Sequence, residues 1–407
     1  MTGAFRGERL HIAILGRCNT GKSTLLNLLA GQNAAIVSPE PGTTGDPVPL
    51  SFELHPLGPV TLYDTAGLDE TSELGALRRE AGRKVLGRAD LAVVVTDEQG
   101  VGEWEKDICA SLKILGTPFL LIFNKVDLAA PSPQDLNWCA KNNIHCMSVS
   151  ASQPQNPAFL RKALVRLAPD AVKQPPLVKD ILTPGGAVIC VTPIDASAPK
   201  GRLIAPQVQT LRELVDNHHP AVVVQHTELS RVLELMREPP DLVITDSQVV
   251  REVAAVLPQN VRLTTFSILF ARFKGDFNIL LAGAGVIDSL PAGAPVLIAE
   301  ACAHHAQNDD IARVKIPMLL KKHTGREFKY TYVSGHDFPP DLNSYSLVIM
   351  CGGCMLNPGE MRRRLRLCAA AGVPITNFGM VISLAQGTLA RVVGPLKQAP
   401  GRETSSG

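Results

Sequence analysis

A glycine-rich segment close to the start of the 407-residue chain has the residue types and the spacing that bind nucleotide phosphates. Residues 16–23 read GRCNTGKS, which fits G-x-x-x-x-G-K-S, and they lie between a strand-like apolar run and a helix-like run. The glycines let successive backbone N–H groups point at phosphate oxygens, and the N-terminus of the following helix favours negative charge. We expect Lys22 to reach the β- and γ-phosphates and Ser23 to bind Mg²⁺. The predicted phosphate-binding residues are Gly16, Asn19, Thr20, Gly21, Lys22, Ser23 and Thr24.

A second motif, DTAG at residues 64–67, ends a predicted strand and would complete the phosphate site. The carboxylate of Asp64 can hold Mg²⁺ through water, and the backbone N–H of Gly67 can contact the γ-phosphate. The next residue is Leu68, whose apolar side chain cannot orient an attacking water. We therefore expect intrinsic hydrolysis to be slow.

Two motifs at later strand ends predict that the base is guanine. Residues 124–127 read NKVD and resemble the guanine-specificity motif of small G proteins. An aspartate carboxylate accepts two hydrogen bonds from guanine N1 and N2, a pair of donors that adenine lacks. Residues 150–151 match the last motif of these proteins, which contacts guanine O6 through its backbone. The predicted guanine-binding residues are Asn124, Lys125, Asp127, Ser150 and Ala151. Four motifs in order, each at a strand end, predict GTP rather than ATP.

The loop PGTTGD at residues 41–46 lies between the first helix and the second strand, where a nucleotide-sensing loop belongs. It resembles the GTTRD element of the bacterial Era/EngA/TrmE group of GTPases, and by that resemblance Thr44 would complete the coordination of Mg²⁺. Gly45 stands where the group has an arginine, so any role of that arginine is unfilled. The alternative is an ordinary polar loop.

Asn19 lies where the TrmE-like group uses an asparagine to bind K⁺ beside the phosphates. A potassium ion there would supply the positive charge that an arginine finger supplies elsewhere, so we predict slow, K⁺-stimulated hydrolysis of GTP. The alternative is that Asn19 only stabilises its own loop. The predicted catalytic residues are Lys22, Thr44, Asp64 and Gly67.

A second group of chemically active residues lies far along the chain. Cys302 and His304 close one predicted strand, and Cys351 and Cys354 close another as a C-x-x-C pair. If these strands are parallel neighbours, both loops emerge at the same carboxyl edge of the sheet, where three thiolates can converge. Zinc, an iron–sulfur cluster, and redox-active or packing thiols all fit this spacing. The other cysteines have no such neighbours in the sequence. Cys18 is predicted to lie in a loop, and the rest are predicted to pack as small apolar residues: Cys109, Cys139, Cys146, Cys190 and Cys368.

A repeating strand and helix pattern must position these motifs. Strands that are apolar throughout and separated by helices indicate parallel sheets covered on both faces. The predicted class is therefore α/β, with an N-terminal P-loop G domain followed by two smaller doubly wound parallel α/β domains. The expected domains span 1–170, 177–262 and 263–400, with a proline-rich linker at 168–176. The predicted strands are 11–16, 60–67, 91–97, 118–127, 187–193, 221–225, 241–246, 277–285, 294–302, 329–335, 346–354 and 373–379, and the predicted helices include 23–31, 206–217 and 247–256.

The composition sets limits on partners and location. The chain has 40 basic and 38 acidic side chains, a net charge of +2, so neither a nucleic-acid nor a membrane partner is predicted. There is no apolar run of about eighteen residues, and the polar N-terminus does not read as a signal peptide. Nine scattered cysteines then favour a reducing, cytoplasmic location.

The G-domain motifs combined with C-x-H and C-x-x-C at 302–304 and 351–354 resemble the HydF family of [FeFe]-hydrogenase maturation GTPases, and the resemblance covers the whole chain. It implies that Cys302, Cys351 and Cys354 bind a [4Fe–4S] cluster. His304 would be an exchangeable fourth ligand, with His305 and His336 as weaker candidates. The family usually has a histidine directly before the C-x-x-C pair, where this chain has Met350.

The resemblance also implies partners and a role. Members of the family are scaffolds that carry a diiron precursor with CO and cyanide ligands, assembled with radical-SAM maturases, to apo-[FeFe]-hydrogenase. The 177–262 domain resembles the family's dimerisation domain, so a homodimer is expected, and 263–400 would bind the cluster. The expected cofactors are GTP, Mg²⁺, K⁺ and the cluster. The alternative is a ribosome- or tRNA-associated GTPase of the Era/TrmE group whose C-terminal cysteines bind zinc or only pack.

Overall fold

The computed structural model describes residues 9–30, 49–55, 57–64, 85–87, 89–150, 158–168, 175–194, 203–301, 311–335, 338–339, 341–353 and 356–397. The predicted site residues outside these ranges are Thr44, Gly67, Ala151, Cys302, His304 and Cys354, together with the weaker candidates His305 and His336. The chain divides into two compact units, residues 1–174 with 357–363 and residues 175–356 with 364–407.

The first unit contains a six-stranded sheet in the order β2-β3-β1-β4-β5-β6. All neighbouring strands are parallel except the edge pair β2 and β3, so the predicted parallel sheet gains one antiparallel edge strand. The strands are β1 Leu10–Gly16, β2 Pro49–Leu54, β3 Gly58–Asp64, β4 Leu91–Thr96, β5 Phe119–Phe123 and β6 Cys146–Ser148. The helices described in this unit are α1 Lys22–Ala30, α2 Glu103–Leu115, α3 Pro133–Lys141 and α4 Ala158–Leu167.

Both faces of this sheet are covered, as continuous apolar strands predict. Alternate residues of β1 point to opposite faces, with Ile12 in one core and Ala13 in the other. Residues of α1 and α4 fill the first core, and residues of α2 and α3 fill the second. The sheet is therefore doubly wound, with its loops at the strand ends.

Local sequence signals explain where one of these helices begins and where another ends. Helix α3 starts after Ser132, whose hydroxyl accepts a hydrogen bond from Asp135 N–H, and Pro133 occupies the first helical position. Helix α2 ends at Gly116, which has a φ of 60°, the left-handed conformation that glycine adopts at helix ends.

The second unit contains two parallel four-stranded sheets, in the orders β10-β9-β7-β8 and β12-β11-β13-β14. The first sheet is formed by β7 Val188–Val191, β8 Ala221–Val224, β9 Leu242–Thr245 and β10 Leu263–Thr265. The second is formed by β11 Pro295–Ala299, β12 Lys329–Val333, β13 Leu347–Met350 and β14 Ile375–Asn377. The helices are α5 Ala205–Asp216, α6 Leu229–Leu235, α7 Val250–Val256, α8 Phe266–Lys274, α9 Phe277–Gly285, α10 Ile316–Thr324, α12 Phe378–Ala385 and α13 Leu389–Lys397, together with residues 364–370 of α11 Pro358–Ala370.

Polar contacts join the two sheets into one unit. Asn377 at the end of β14 accepts a hydrogen bond from Met380 N–H and donates one to the carbonyl oxygen of Ser267 in α8. Arg391 of α13 donates to the carbonyl oxygens of Ala254 and Pro258, beside the other sheet. Because β10 pairs with β9, the sheet continues past the expected boundary at residue 262, which cuts it one strand short.

The predicted strand at residues 277–285 is wrong, because FNILLAGAG forms helix α9. Asp276 caps it by accepting hydrogen bonds from Asn278 and Ile279 N–H groups. A short apolar run has no periodicity that separates a buried strand from a buried helix. Small residues at the end of the run let α9 pack closely on β14.

No helix in the described part of the chain is both long and apolar enough to cross a membrane.

We expect Gly283→Ala to destabilise the second unit. A Cβ at Gly283 would overlap the backbone carbonyl of Ile375 in β14, and overpacking of this kind costs about 1–3 kcal/mol. The matched control is Gly285→Ala two residues later, where an added Cβ meets nothing within 4 Å. Scanning calorimetry should show a lower unfolding temperature for the first variant alone. Equal unfolding temperatures would contradict the close packing of α9 on β14.

Candidate functional site

The phosphate loop lies between β1 and α1, as the sequence predicts. Gly16 ends β1, and a side chain there would come within 2.6 Å of the Val95 carbonyl oxygen. The loop turns through left-handed backbone at Asn19, with a φ of 62°, and at Gly21, with a φ of 85°. Asparagine and glycine are the residues that adopt this conformation most readily. The loop sequence therefore fits the backbone that it must form.

Lys22 begins helix α1 and is almost completely buried. Its ammonium group donates hydrogen bonds to the carbonyl oxygens of Gly16 at 2.9 Å and Arg17 at 2.6 Å. Ser23 and Thr24 are exposed in the first turn of the helix, and Asn19 is exposed in the loop. The loop thus surrounds the ammonium group of Lys22, and the hydroxyl groups of Ser23 and Thr24 lie exposed on the next two residues.

The predicted guanine loop is joined directly to the phosphate loop. The side-chain amide of Asn124 donates a hydrogen bond of 2.8 Å to the Thr20 carbonyl oxygen. Gly21 passes so close to this amide that a side chain at position 21 would overlap it. The spacing between the base-binding and phosphate-binding parts of the site is therefore fixed by contacts within the protein.

Asp127 lies at the end of the same loop with its side chain exposed. The hydroxyl of buried Ser150, after β6, donates a hydrogen bond of 2.5 Å to Asp127 Oδ1. Lys125 has a φ of 58°, and its ammonium group lies 3.4 Å from carboxylate oxygens of both Asp97 and Glu98. The carboxylate of Asp127 is thus oriented by Ser150 and open to a ligand.

Arg17 is a residue of the phosphate loop whose role sequence reasoning missed. Its Nε donates to Glu105 Oε1 at 2.7 Å, and its other nitrogens donate to Gln99 and to the Gly100 carbonyl oxygen. Glu105 is fully buried and also accepts a hydrogen bond from Gly102 N–H at the start of α2. The ion pair anchors the phosphate loop to α2, and the other two contacts anchor it to the loop after β4. The only sequence signal was an arginine following the first motif glycine.

The remaining predicted phosphate ligands are only partly described. Asp64 ends β3, and its backbone pairs with Ile14 of β1, two residues before the phosphate loop. This register brings Asp64 to the carboxyl edge from which the phosphate loop emerges.

The cysteine loops follow neighbouring strands, as the convergence hypothesis requires. Strands β11 and β13 are parallel and adjacent, with Ala299 beside Met350. The backbone N–H of Cys351 donates a hydrogen bond of 2.9 Å to the Ala299 carbonyl oxygen. The backbone N–H of Ala301 donates one of 3.1 Å to Cys351 Sγ. Cys302 is the next residue after Ala301. Both cysteine segments therefore leave the sheet at one edge.

Four of the other cysteines in the described ranges differ from Cys351 in being buried, whereas Cys146 is half-buried and Cys18 is exposed. Burial raises the pKa of four thiols to about 12, those of Cys109, Cys139, Cys190 and Cys368. Cys351 is only half-buried and accepts a hydrogen bond from a backbone amide. Within the described ranges no group of three potential metal ligands comes together, and two of the three predicted cysteine ligands lie outside those ranges.

Met350 is completely buried in β13, in the position before the C-x-x-C pair. The buried Met350 thioether provides no imidazole at this position. The departure noted in the sequence therefore removes one candidate ligand.

Comparison with known proteins gives three matching family models. The hydrogen maturase F dimerization domain matches residues 177–275, and the hydrogen maturase F tetramerization domain matches residues 278–395. A model described as 50S ribosome-binding GTPase matches residues 11–125.

The curated relatives that match are longer proteins. The tRNA modification GTPase MnmE of Paraburkholderia xenovorans (strain LB400) is 34% identical over 170 residues, 41% of this chain and 36% of that protein. MnmE of Parvibaculum lavamentivorans (strain DS-1) is 41% identical over 137 residues, 31% of this chain and 29% of that protein. The chain thus spans about a third of the length of these relatives.

Solved structures also match in part. Era of Aquifex aeolicus bound to GDP and AlF4⁻ is 27% identical with a TM-score of 0.33, over 39% of this chain and 56% of that one. The G domain of the T. maritima FeoB iron transporter is 23% identical with a TM-score of 0.31, over 39% of this chain and 99% of that one.

The two hydrogen maturase F models together match more than half of the chain, and a GTPase model matches the part before them. This confirms the resemblance drawn from the cysteines and the nucleotide motifs. The chain belongs to the hydrogen maturase F (HydF) family.

Proposed function

We propose that this protein is a GTP-hydrolysing scaffold that binds a [4Fe–4S] cluster and delivers a diiron precursor to apo-[FeFe]-hydrogenase. The observation that carries the proposal is the contact between Ala301 N–H and Cys351 Sγ at the shared edge of β11 and β13. It supports the expectation that Cys302 joins Cys351 and Cys354 around one cluster.

The chemistry of this edge fits an iron–sulfur cluster. A backbone N–H that donates to sulfur favours the thiolate, which is the form that binds iron. Cys302, Cys351 and Cys354 would hold the cluster, with His304 as the exchangeable ligand. A cluster held by three thiolates would supply one iron with a coordination site where an outside ligand can bind and leave. Such a site suits a carrier, because the cargo must be released.

The G domain would act as a switch on this scaffold. The Asp127 carboxylate would select guanine, Lys22 would contact the phosphates, and Ser23 and Thr44 would hold Mg²⁺, with Asp64 bound to it through water. GTP and GDP would then favour different conformations, and so different partners, without supplying energy to the cluster chemistry. The partners proposed on the family's behaviour are radical-SAM maturases and apo-hydrogenase.

A homodimer is proposed through the sheet of β7–β10. Its edge strand β8 exposes Val222 and Val223, and Val215 of the preceding helix is 60% exposed. An apolar edge strand is a surface that proteins normally cover.

The alternative of an RNA-associated GTPase explains only the G domain, whereas residues 177–275 and 278–395 match hydrogen maturase domains.

Cys351→Ala should abolish the cluster while leaving GTP hydrolysis unchanged, since the two sites use different residues. The test is anaerobic reconstitution with iron and sulfide, followed by EPR of the reduced protein and a GTPase assay. Cys368→Ala is the matched control, because this fully buried thiol lies in α11, after the C-x-x-C pair. A cluster signal that survives Cys351→Ala would overturn the proposed ligand set.

Asp127→Asn should change base preference from guanine to xanthine. Guanine would lose two hydrogen bonds to a charged group, worth about 1.5–3 kcal/mol each, so GTP affinity should fall by at least roughly 100-fold. The asparagine amide can instead donate to the second carbonyl of xanthine. Asp107→Asn, on the exposed face of α2, is the control. Nucleotide titrations that show no gain for XTP would contradict guanine selection by Asp127.

GTP hydrolysis should be faster in KCl than in NaCl if Asn19 helps to hold K⁺. Asn19→Gly tests the side chain alone, because glycine tolerates the left-handed backbone at this position. We expect this variant to lose the difference in rate between the two salts, which is up to about 100-fold, the typical effect of one lost charge-stabilising contact. Equal wild-type rates in both salts would refute the potassium site.

A further inference from the structure

A buried lysine contacts the C-x-x-C loop that follows β13. The lysine lies in α8, the helix that follows β10 of the other sheet in the same unit. Lys274 is the last residue of α8 and is 2% exposed. Its ammonium group donates hydrogen bonds to the carbonyl oxygens of Leu356 at 2.9 Å and Gly353 at 3.3 Å. The same group lies 5.1 Å from the ring centroid of Phe270, one turn earlier in the helix.

Burial of this ammonium group needs compensation. A lysine is almost never fully buried unless it is paired, since removal of the charge from water is costly. Backbone carbonyl oxygens and an aromatic face provide attraction through their dipoles and quadrupole. The arrangement places a positive charge against the loop that carries Cys351, and it ties that loop to α8.

The contacts also fix the shape of the loop. Gly353 has a φ of 65°, and its carbonyl oxygen accepts hydrogen bonds from both Leu356 N–H, at 3.1 Å, and Lys274. The turn after Cys351 is therefore held at two points by one side chain. Lys274 lies within residues 177–275, matched by the dimerization model, whereas the loop lies within residues 278–395, matched by the tetramerization model. The cluster edge is thus supported by a residue from outside its own sheet.

We propose that Lys274 is a positioning residue for the iron–sulfur cluster, which holds the C-x-x-C loop in its ligating form and raises the cluster's reduction potential. The inference rests on the proposed function. Thiolates make the cluster anionic, and an added electron makes it more so. A nearby cation therefore stabilises the reduced form more than the oxidised form.

Two variants separate position from charge. Lys274→Met removes both the charge and the hydrogen-bond donor but keeps the volume of the side chain. Lys274→Gln removes the charge and keeps a donor for the loop carbonyls. The matched control is Lys322→Met, which removes an exposed lysine charge in α10 of the same unit. Circular dichroism of each full-length variant checks that it is folded.

The first measurement is made on the metal-free protein. Hydrogen exchange of the segment around residues 351–357 should accelerate about 10-fold in Lys274→Met, the effect of one lost hydrogen bond on local opening. It should accelerate less in Lys274→Gln and remain unchanged in the control. The second uses the reconstituted protein and an EPR-monitored redox titration. The midpoint potential should fall in both Lys274 variants and remain at the wild-type value in Lys322→Met.

These outcomes separate the two proposals. If the wild-type protein binds no cluster, the proposed function fails, and unchanged loop exchange would independently refute the positioning role. If the wild type binds a cluster but both Lys274 variants keep its potential and its loop protection, the role of Lys274 fails and the scaffold function stands. If Lys274→Met does not fold, the potential of Lys274→Gln decides the question.

Discussion

The parallel pairing of β11 with β13 is the constraint on which the proposed scaffold depends. Parallel neighbours end at the same edge, so the segments after Ala299 and Met350 must leave the sheet side by side. The hydrogen bond from Ala301 N–H to Cys351 Sγ shows how close these segments come. Residues 50 positions apart are thereby brought to one place by the strand pairing. The proposed cluster site depends on that geometry, whereas the cargo and the exchangeable ligand are what membership of the HydF family implies.

In the G domain, too, parallel strands end at one edge and bring distant loops together. Strands β1, β3, β4 and β5 are parallel and end at one edge, where the phosphate loop follows β1 and the guanine loop follows β5. The Asn124 side chain then fixes the guanine loop to the Thr20 carbonyl oxygen. Arg17 and buried Glu105 fix the phosphate loop on its other side.

Much of this could be predicted from sequence because the motifs occur at the ends of strongly apolar strands. The phosphate loop, the Asn124 and Ser150 loops and the shared cysteine edge all follow from strand position. The strand predicted at 277–285 was wrong because its run of apolar and small residues suits a buried helix equally well. Arg17 and Lys274 were missed for a different reason. Their partners Glu105 and Leu356 lie 88 and 82 residues away, and no local pattern encodes such pairs.

The central claim is that three cysteine sulfurs converge on one iron–sulfur cluster at the edge of β11 and β13. The most direct measurement is anomalous diffraction at the iron absorption edge from crystals of the anaerobically reconstituted protein. The account predicts a single iron peak within bonding distance of the sulfurs of Cys302, Cys351 and Cys354. An iron peak elsewhere, or Cys302 on the opposite edge of the sheet from Cys351, would contradict it.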